Sequence, residues 1–298
     1  MAAETKTRRL GPHGHARSPA SGATLVTIRP GRDGSEPPLL CVHARAGDVS
    51  LYSALARRLP PDRPVLGLIA PPAGELRSGT GLEELAQLHV REIRRAQPGG
   101  PYLIAGECTG GALAYEIARQ LEADGQRVAL LALIDAYAPG QPRLRTAVPR
   151  PAQRILHRAR ILGFHLANLV RLPMRAKLEY AAEKAARAAR ALRRKIGLGG
   201  LGGRGASAGA GAQRAALAHA FAAYRPEPCA CPTVLLRASR LPLGIVTERD
   251  LGWGDLATDL QVEIVPGYFT TLISEPGVRA LACALSARLA DACGKSPR

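Results

Sequence analysis

The stretch from Tyr102 to Glu116, YLIAGECTGGALAYE, constrains this chain more than any other. Tyr102, Leu103 and Ile104 run into Gly106-Glu107-Cys108-Thr109-Gly110-Gly111, after which Leu113, Ala114, Ile117, Ala118 and Leu121 recur at helical spacing. An apolar strand that stops at a glycine-flanked residue and restarts as a helix follows the pattern G-x-nucleophile-x-G. The glycines serve a strained turn and a helix that passes close to its own strand, where Cβ atoms have no room. Cys108 stands in the nucleophile's position, directly after Glu107. The plainer alternative is a buried cysteine in a tight turn, packing as a small hydrophobe.

Other apolar runs fit around this element. Ala23 to Ile28, Leu39 to Val42, Pro64 to Ile69, Val128 to Asp135, Thr233 to Leu236 and Val262 to Val265 read as strands. Leu51 to Leu59 reads as a short helix, and Leu82, Leu85, Ala86, His89 and Ile93 form a helical stripe on which His89 reads as a packed histidine. A last helix buries Val278, Leu281, Ala282, Leu285 and Leu289. Strands alternating with helices imply an α/β fold with a mostly parallel central sheet and right-handed crossovers. Residues 1–22 are polar, basic and rich in Gly and Pro, the composition of a disordered tail. Residues 23–292 then form one sheet domain with a helical insertion over about 140–222. That insertion carries an apolar stripe (Ile155, Ala159, Leu162, Leu166, Leu169, Val170) and a basic block (Arg187, Arg190, Arg193, Arg194, Lys195). Gly197 to Gly211 reads as a flexible hinge or disordered loop.

Composition narrows the function classes. No apolar run approaches the ~20 residues of a membrane span, and the N-terminus has no apolar signal core, so the expected location is the cytoplasm. Six cysteines without C-x-x-C spacing suit a reducing compartment. Cys229-Ala-Cys231 has too few neighbours in sequence for zinc, so no metal and no cofactor is expected. The net charge of +17 admits nucleic acid, an anionic membrane surface or an acidic protein partner. No nucleic-acid motif and no interleaved aromatics accompany it, which argues against nucleic acid; an Ala, Arg and Gly bias is the compositional alternative.

The stretches PLLCVHARAG, GPYLIAGECTGGALAYEIARQLEADGQRVALLALIDAY, AAYRPEPCACPTVLLRAS and LGWGDLATDLQVEIVPG together resemble the thioesterase family of polyketide and nonribosomal peptide synthesis, from about residue 24 to 292. The resemblance implies an α/β-hydrolase fold whose helical insertion is a lid over the acyl chain. It implies Cys108 as nucleophile and Asp135 as the acid of a triad; the other common place for that acid, after TVLLRAS, holds Ser239, Arg240, Leu241 and Pro242. The oxyanion hole then uses the backbone N–H of Thr109 and one from His43-Ala44-Arg45, with Arg45 preferred. His43 falls beside the site by the family layout, with loop structure as its preferred role. The triad histidine is the departure. Family members read roughly V-P-G-x-H before the last helix, whereas Val265-Pro266-Gly267-Tyr268-Phe269 places Phe269 in the histidine's position, and no histidine follows His219.

Chemistry shapes what remains possible. A cysteine is partly ionised near neutral pH, and a helix N-terminus lowers its pKa further, although Asp135 would oppose that. Cys108 is therefore expected to be the reactive thiolate of the chain. A pantetheine thiolate leaves without a proton donor, so acylation can survive the lost histidine, whereas water attacking the acyl-enzyme needs a base. The implied function is off-loading of a chain carried on the phosphopantetheine of an acyl or peptidyl carrier protein. Release is by hydrolysis or cyclisation, with a Dieckmann-type closure favoured because cysteine-bearing relatives include Dieckmann cyclases. Two alternatives stay open: a catalytically impaired protein that binds a carrier or ligand, and a chain whose histidine has been replaced by design.

Overall fold

Runs of Leu, Val, Ile and Ala, too apolar to leave either face wet, become the central strands of one sheet. The computed structural model describes residues 8–9, 24–32, 36–72, 75–76, 79–141, 143–144, 159, 204–241, 245–269 and 271–294. Its strands are β1 (Arg8–Arg9), β2 (Leu25–Arg29), β3 (Leu39–Val42), β4 (Val65–Leu68), β5 (Tyr102–Glu107), β6 (Val128–Ile134), β7 (Arg143–Leu144), β8 (Thr233–Arg240), β9 (Ile245–Val246) and β10 (Leu260–Tyr268). The helices are α1 (Ser53–Ala56), entered through a 3-10 turn at Ser50–Tyr52, then α2 (Leu82–Ala96), α3 (Gly110–Ala123), α4 (Arg204–Ala223) and α5 (Gly277–Ala292).

Eight strands form a sheet in the order β1-β2-β4-β3-β5-β6-β8-β10. All its pairings are parallel except β2 with β4. Strand pleating sends Leu40, Val42, Ile104, Leu131 and Leu133 to one face, where they pack with α2, α3 and the end of α4. Leu39, Cys41, Leu103, Ala105, Ala132 and Ile134 face the other way, toward α1 and α5. Ile104 is fully buried between these layers, and its truncation to Ala would cost about 2–5 kcal/mol. No described helix is long and apolar enough to cross a membrane.

Three parts differ from the sequence reading. The described part of the Gly-rich stretch taken for a hinge, residues 204–211, is helical, since α4 begins at Arg204. Its alanines favour helix enough to offset glycines costing about 1 kcal/mol each, and Leu217, Ala220 and the following Tyr224 anchor it in the core. Tyr224 also donates to the buried Glu116 carboxylate of α3 (2.7 Å), which Arg119 and Gln120 saturate. Strands β8 and β10 outrun their apolar cores, because β10 is the sheet's edge and carries Glu263, and β8 continues along it past its pairing with β6 at Leu236, where Arg237 and Arg240 follow. Arg8–Arg9 pairs parallel with Val26 and Thr27. The rest of the expected tail, and most of the expected lid with its stripe and basic block, lie outside the described residues.

Candidate active site

The elbow forms because three glycines let α3 turn back against its strand. A Cβ on Gly106 would lie 2.5 Å from the Gly110 carbonyl oxygen, one on Gly110 2.9 Å from the His43 oxygen, and one on Gly111 2.3 Å from the Ala136 Cβ. Between them Cys108 adopts φ 51°, a left-handed conformation that costs a non-glycine residue about 1–3 kcal/mol. Its N–H donates to the Ile134 oxygen at 2.9 Å, tying the turn to the end of β6. Tyr52 braces the same end from below: its hydroxyl donates to Val42 O (3.0 Å) and accepts from Glu107 N–H (2.8 Å). The sulfur is thereby presented where β5 stops and α3 begins.

Two backbone amides converge here. The Thr109 N–H favours the ionised form of the Cys108 sulfur. Arg45 N–H donates only a long bond, 3.3 Å, to Thr109 Oγ1. Both sequence-predicted donors are thus brought to the elbow, with Ala44 in the loop between. That loop is held from behind by two histidines. His43 Nδ1 lies 2.8 Å from Ala44 O, and its Nε2 lies 3.3 Å from Nε2 of His89, whose Nδ1 reaches Thr24 Oγ1 at 3.3 Å. One proton order satisfies all contacts: Thr24 donates to His89, His89 to His43, and His43 to the carbonyl. Both rings are fully buried and stay neutral, with burial pulling His43 down to about 4. His43 is therefore loop structure, and its two nitrogens are spoken for.

Asp135 follows β6 and, like Cys108, is left-handed (φ 45°). It is 2% exposed. Oδ1 accepts from Ala238 N–H at 2.6 Å, but Oδ2 is buried with no partner among the described residues. The Tyr137 hydroxyl, two residues on, is buried and unpartnered as well. Phe269, half-buried, sets its ring 5.3 Å from that of Tyr137, edge to face. The sequence reading missed Tyr137, although its i+2 spacing from Asp135 was the available signal.

The electrostatics correct the expected thiolate. Cys108 is pushed up to about 11, first by burial and then by the Glu107 carboxylate, with Asp135 adding to it; Thr109 N–H and Arg45 pull down too weakly to compensate. Glu107 and Asp135 are themselves raised to about 7, each chiefly by burial. The motif announced the helix N-terminus but not the desolvation or the two carboxylates. The sulfur pulled down is instead Cys229, through a hydrogen bond from Cys231.

A mostly parallel sheet flanked by helices, with a strained cysteine elbow after one central strand and a buried aspartate after the next, defines an α/β-hydrolase-type protein. The thioesterase-domain family model matches residues 37–288, and the chain belongs to that family. It is 35% identical over 139 residues to enterobactin synthase component F of Escherichia coli (strain K12), covering 46% of this chain and 10% of that protein. It is 32% identical over 181 residues to a non-reducing polyketide synthase of Pseudevernia furfuracea, covering 60% and 8%. The chain thus spans about a tenth of the length of these relatives. A four-domain nonribosomal peptide synthetase structure superposes with a TM-score of 0.65 and 26% identity, over 88% of this chain and 20% of that one.

Proposed function

We propose that this chain off-loads an acyl or peptidyl group from the phosphopantetheine of a carrier protein through a Cys108 acyl-enzyme. The observation that carries this reading is the left-handed Cys108 elbow with the Thr109 and Arg45 amides beside it. In the first step the sulfur attacks the thioester carbonyl and the amides receive the oxyanion. Collapse breaks the carbon–sulfur bond to pantetheine, and the Cys108 proton leaves with the departing thiol. The exchange trades one thioester for another, so no net acid or base is consumed.

Release favours a Dieckmann-type closure over hydrolysis, because Phe269 gives water no base. A carbon between two carbonyls ionises with less help, attacks the acyl carbonyl and expels the Cys108 thiolate, which takes up the proton. The binder reading is favoured by one observation, the buried Asp135 Oδ2 with no partner among the described residues. Product analysis with a β-ketoacyl-aminoacyl pantetheine thioester separates the readings. The expected product is a ring lighter than the hydrolysed acid by one water. Saturable binding of the thioester with neither product formed above the uncatalysed rate would establish the binder instead.

A further inference from the structure

Glu122, Cys229 and Cys231 meet at the end of α3 farthest from the elbow. A carboxylate oxygen and the two sulfurs all lie within 4.8 Å of one another. Cys229 Sγ donates to Glu122 Oε2 at 3.5 Å, across 107 residues of chain. Cys231 is fully buried, Cys229 is 6% exposed and Glu122 is half-buried. Sequence proximity offers only the C-A-C pair; the fold brings the third ligand type to it. Around a tetrahedral zinc ion with Zn–S ~2.3 Å and Zn–O ~2.0 Å, the sulfur–oxygen edge is ~3.5 Å and the sulfur–sulfur edge ~3.8 Å. The cluster is therefore within about 1 Å of a ligand set.

Glu122 gives an independent reason to expect a cation. It sits in the last turn of α3, where unpaired carbonyls disfavour a carboxylate by about 0.3–1 kcal/mol, and that turn carries no basic residue. Among the described residues the only side-chain partner of its carboxylate is the Cys229 sulfur.

We propose that Glu122, Cys229 and Cys231 bind a thiophilic divalent cation of the zinc class, with water completing the tetrahedron on the side of Glu122. Binding releases the two thiol protons and joins the end of α3 to the segment entering β8. Helix α3 starts at the elbow and β8 supplies the Ala238 N–H that holds Asp135, so the ion clamps two elements that carry the site. At 1.5 Å per residue the cluster lies roughly 20 Å from Cys108 along α3. It therefore acts on stability and takes no part in acyl transfer.

The test uses the full chain, stripped with a chelator under reducing conditions and titrated with Co2+ and then Zn2+. The expected result is one Co2+ per chain, with thiolate-to-cobalt charge transfer and tetrahedral d–d bands that Zn2+ abolishes, and a raised Tm. Cys108→Ala should keep the bands, Cys231→Ser should lose them, and Glu122→Gln should bind roughly tenfold or more weakly. Should Cys231→Ser fail to fold, alkylation of the unmodified chain decides, because Zn2+ must shield Cys229 and Cys231 selectively. Absence of thiolate bands and of shielding overturns the site, as does binding that survives Cys231→Ser. A reduced chain that takes up no cation but oxidises to a Cys229–Cys231 disulfide overturns it equally.

Discussion

At the end of β5, Cys108 is held left-handed, braced by Tyr52 and faced by two amide donors. At the end of β6, Asp135 is also held left-handed and anchored by Ala238, yet its second oxygen and the Tyr137 hydroxyl are buried without a partner among the described residues. Strain of about 1–3 kcal/mol is maintained at both ends, and at the second a buried unpaired oxygen adds about 1–3 kcal/mol more. Both strands end in a strained left-handed residue, but only the second end leaves buried polar atoms without a partner among the described residues. On the proposed reading the two half-reactions of acyl transfer part company: taking up a chain would use the elbow, whereas activating a second nucleophile would use a base at the position proposed for Phe269.

Supplying the missing group should have the largest effect. On the proposed reading Phe269→His supplies an imidazole for Asp135 to orient, and general acid–base help is worth ~10²–10⁴ in rate. Release of a preformed acyl-enzyme should accelerate by that range in single-turnover experiments. An unchanged adduct lifetime would mean that the base does not belong at this position. At the completed end, Gly111→Ala drives a Cβ to 2.3 Å from the Ala136 Cβ. Overpacking of this kind costs about 1–3 kcal/mol, and chemical denaturation should show the loss.

The smallest effect concerns Asp135. Its folded pKa of about 7 exceeds the unfolded ~3.9, so the folded state binds the extra proton and stability falls as pH rises from ~4 to ~7. Asp135→Asn removes that titration. Its stability relative to the parent should therefore improve by on the order of 1–3 kcal/mol between pH 4 and 8. A difference independent of pH would show that the carboxylate is solvated or paired.

Much of the scaffold was legible because its signals are local. The GECTGG run carries its own steric reason, and the uninterrupted apolar stretch from Val128 to Ile134 could only be a strand buried on both faces. What escaped depends on contacts between distant segments. Helix α4 is fixed by Leu217, Ala220 and the adjoining Tyr224 entering a core that glycine counting does not reveal. The acidity of Cys108 depends on burial and on carboxylates at two strand ends, and its expected depression became a rise. Glu122 meets Cys229 only because α3 runs back beneath the approach to β8. Phe269 was legible from the sequence, whereas its ring contact with Tyr137 and the buried Tyr137 and Asp135 oxygens without partners among the described residues were not.

Intact-mass analysis after incubation with an acyl-pantetheine thioester tests whether Cys108 accepts an acyl group without a histidine. One acyl group per chain should accumulate on Cys108 and be absent from Cys108→Ala. Because the thiol is raised to about 11, the acylation rate should climb about tenfold per pH unit through neutral and mildly alkaline pH, with no plateau near the ~8.5 of an unperturbed thiol. Absence of the adduct at every pH, or an equal adduct on Cys108→Ala, would contradict the account and leave Cys108 a buried turn cysteine.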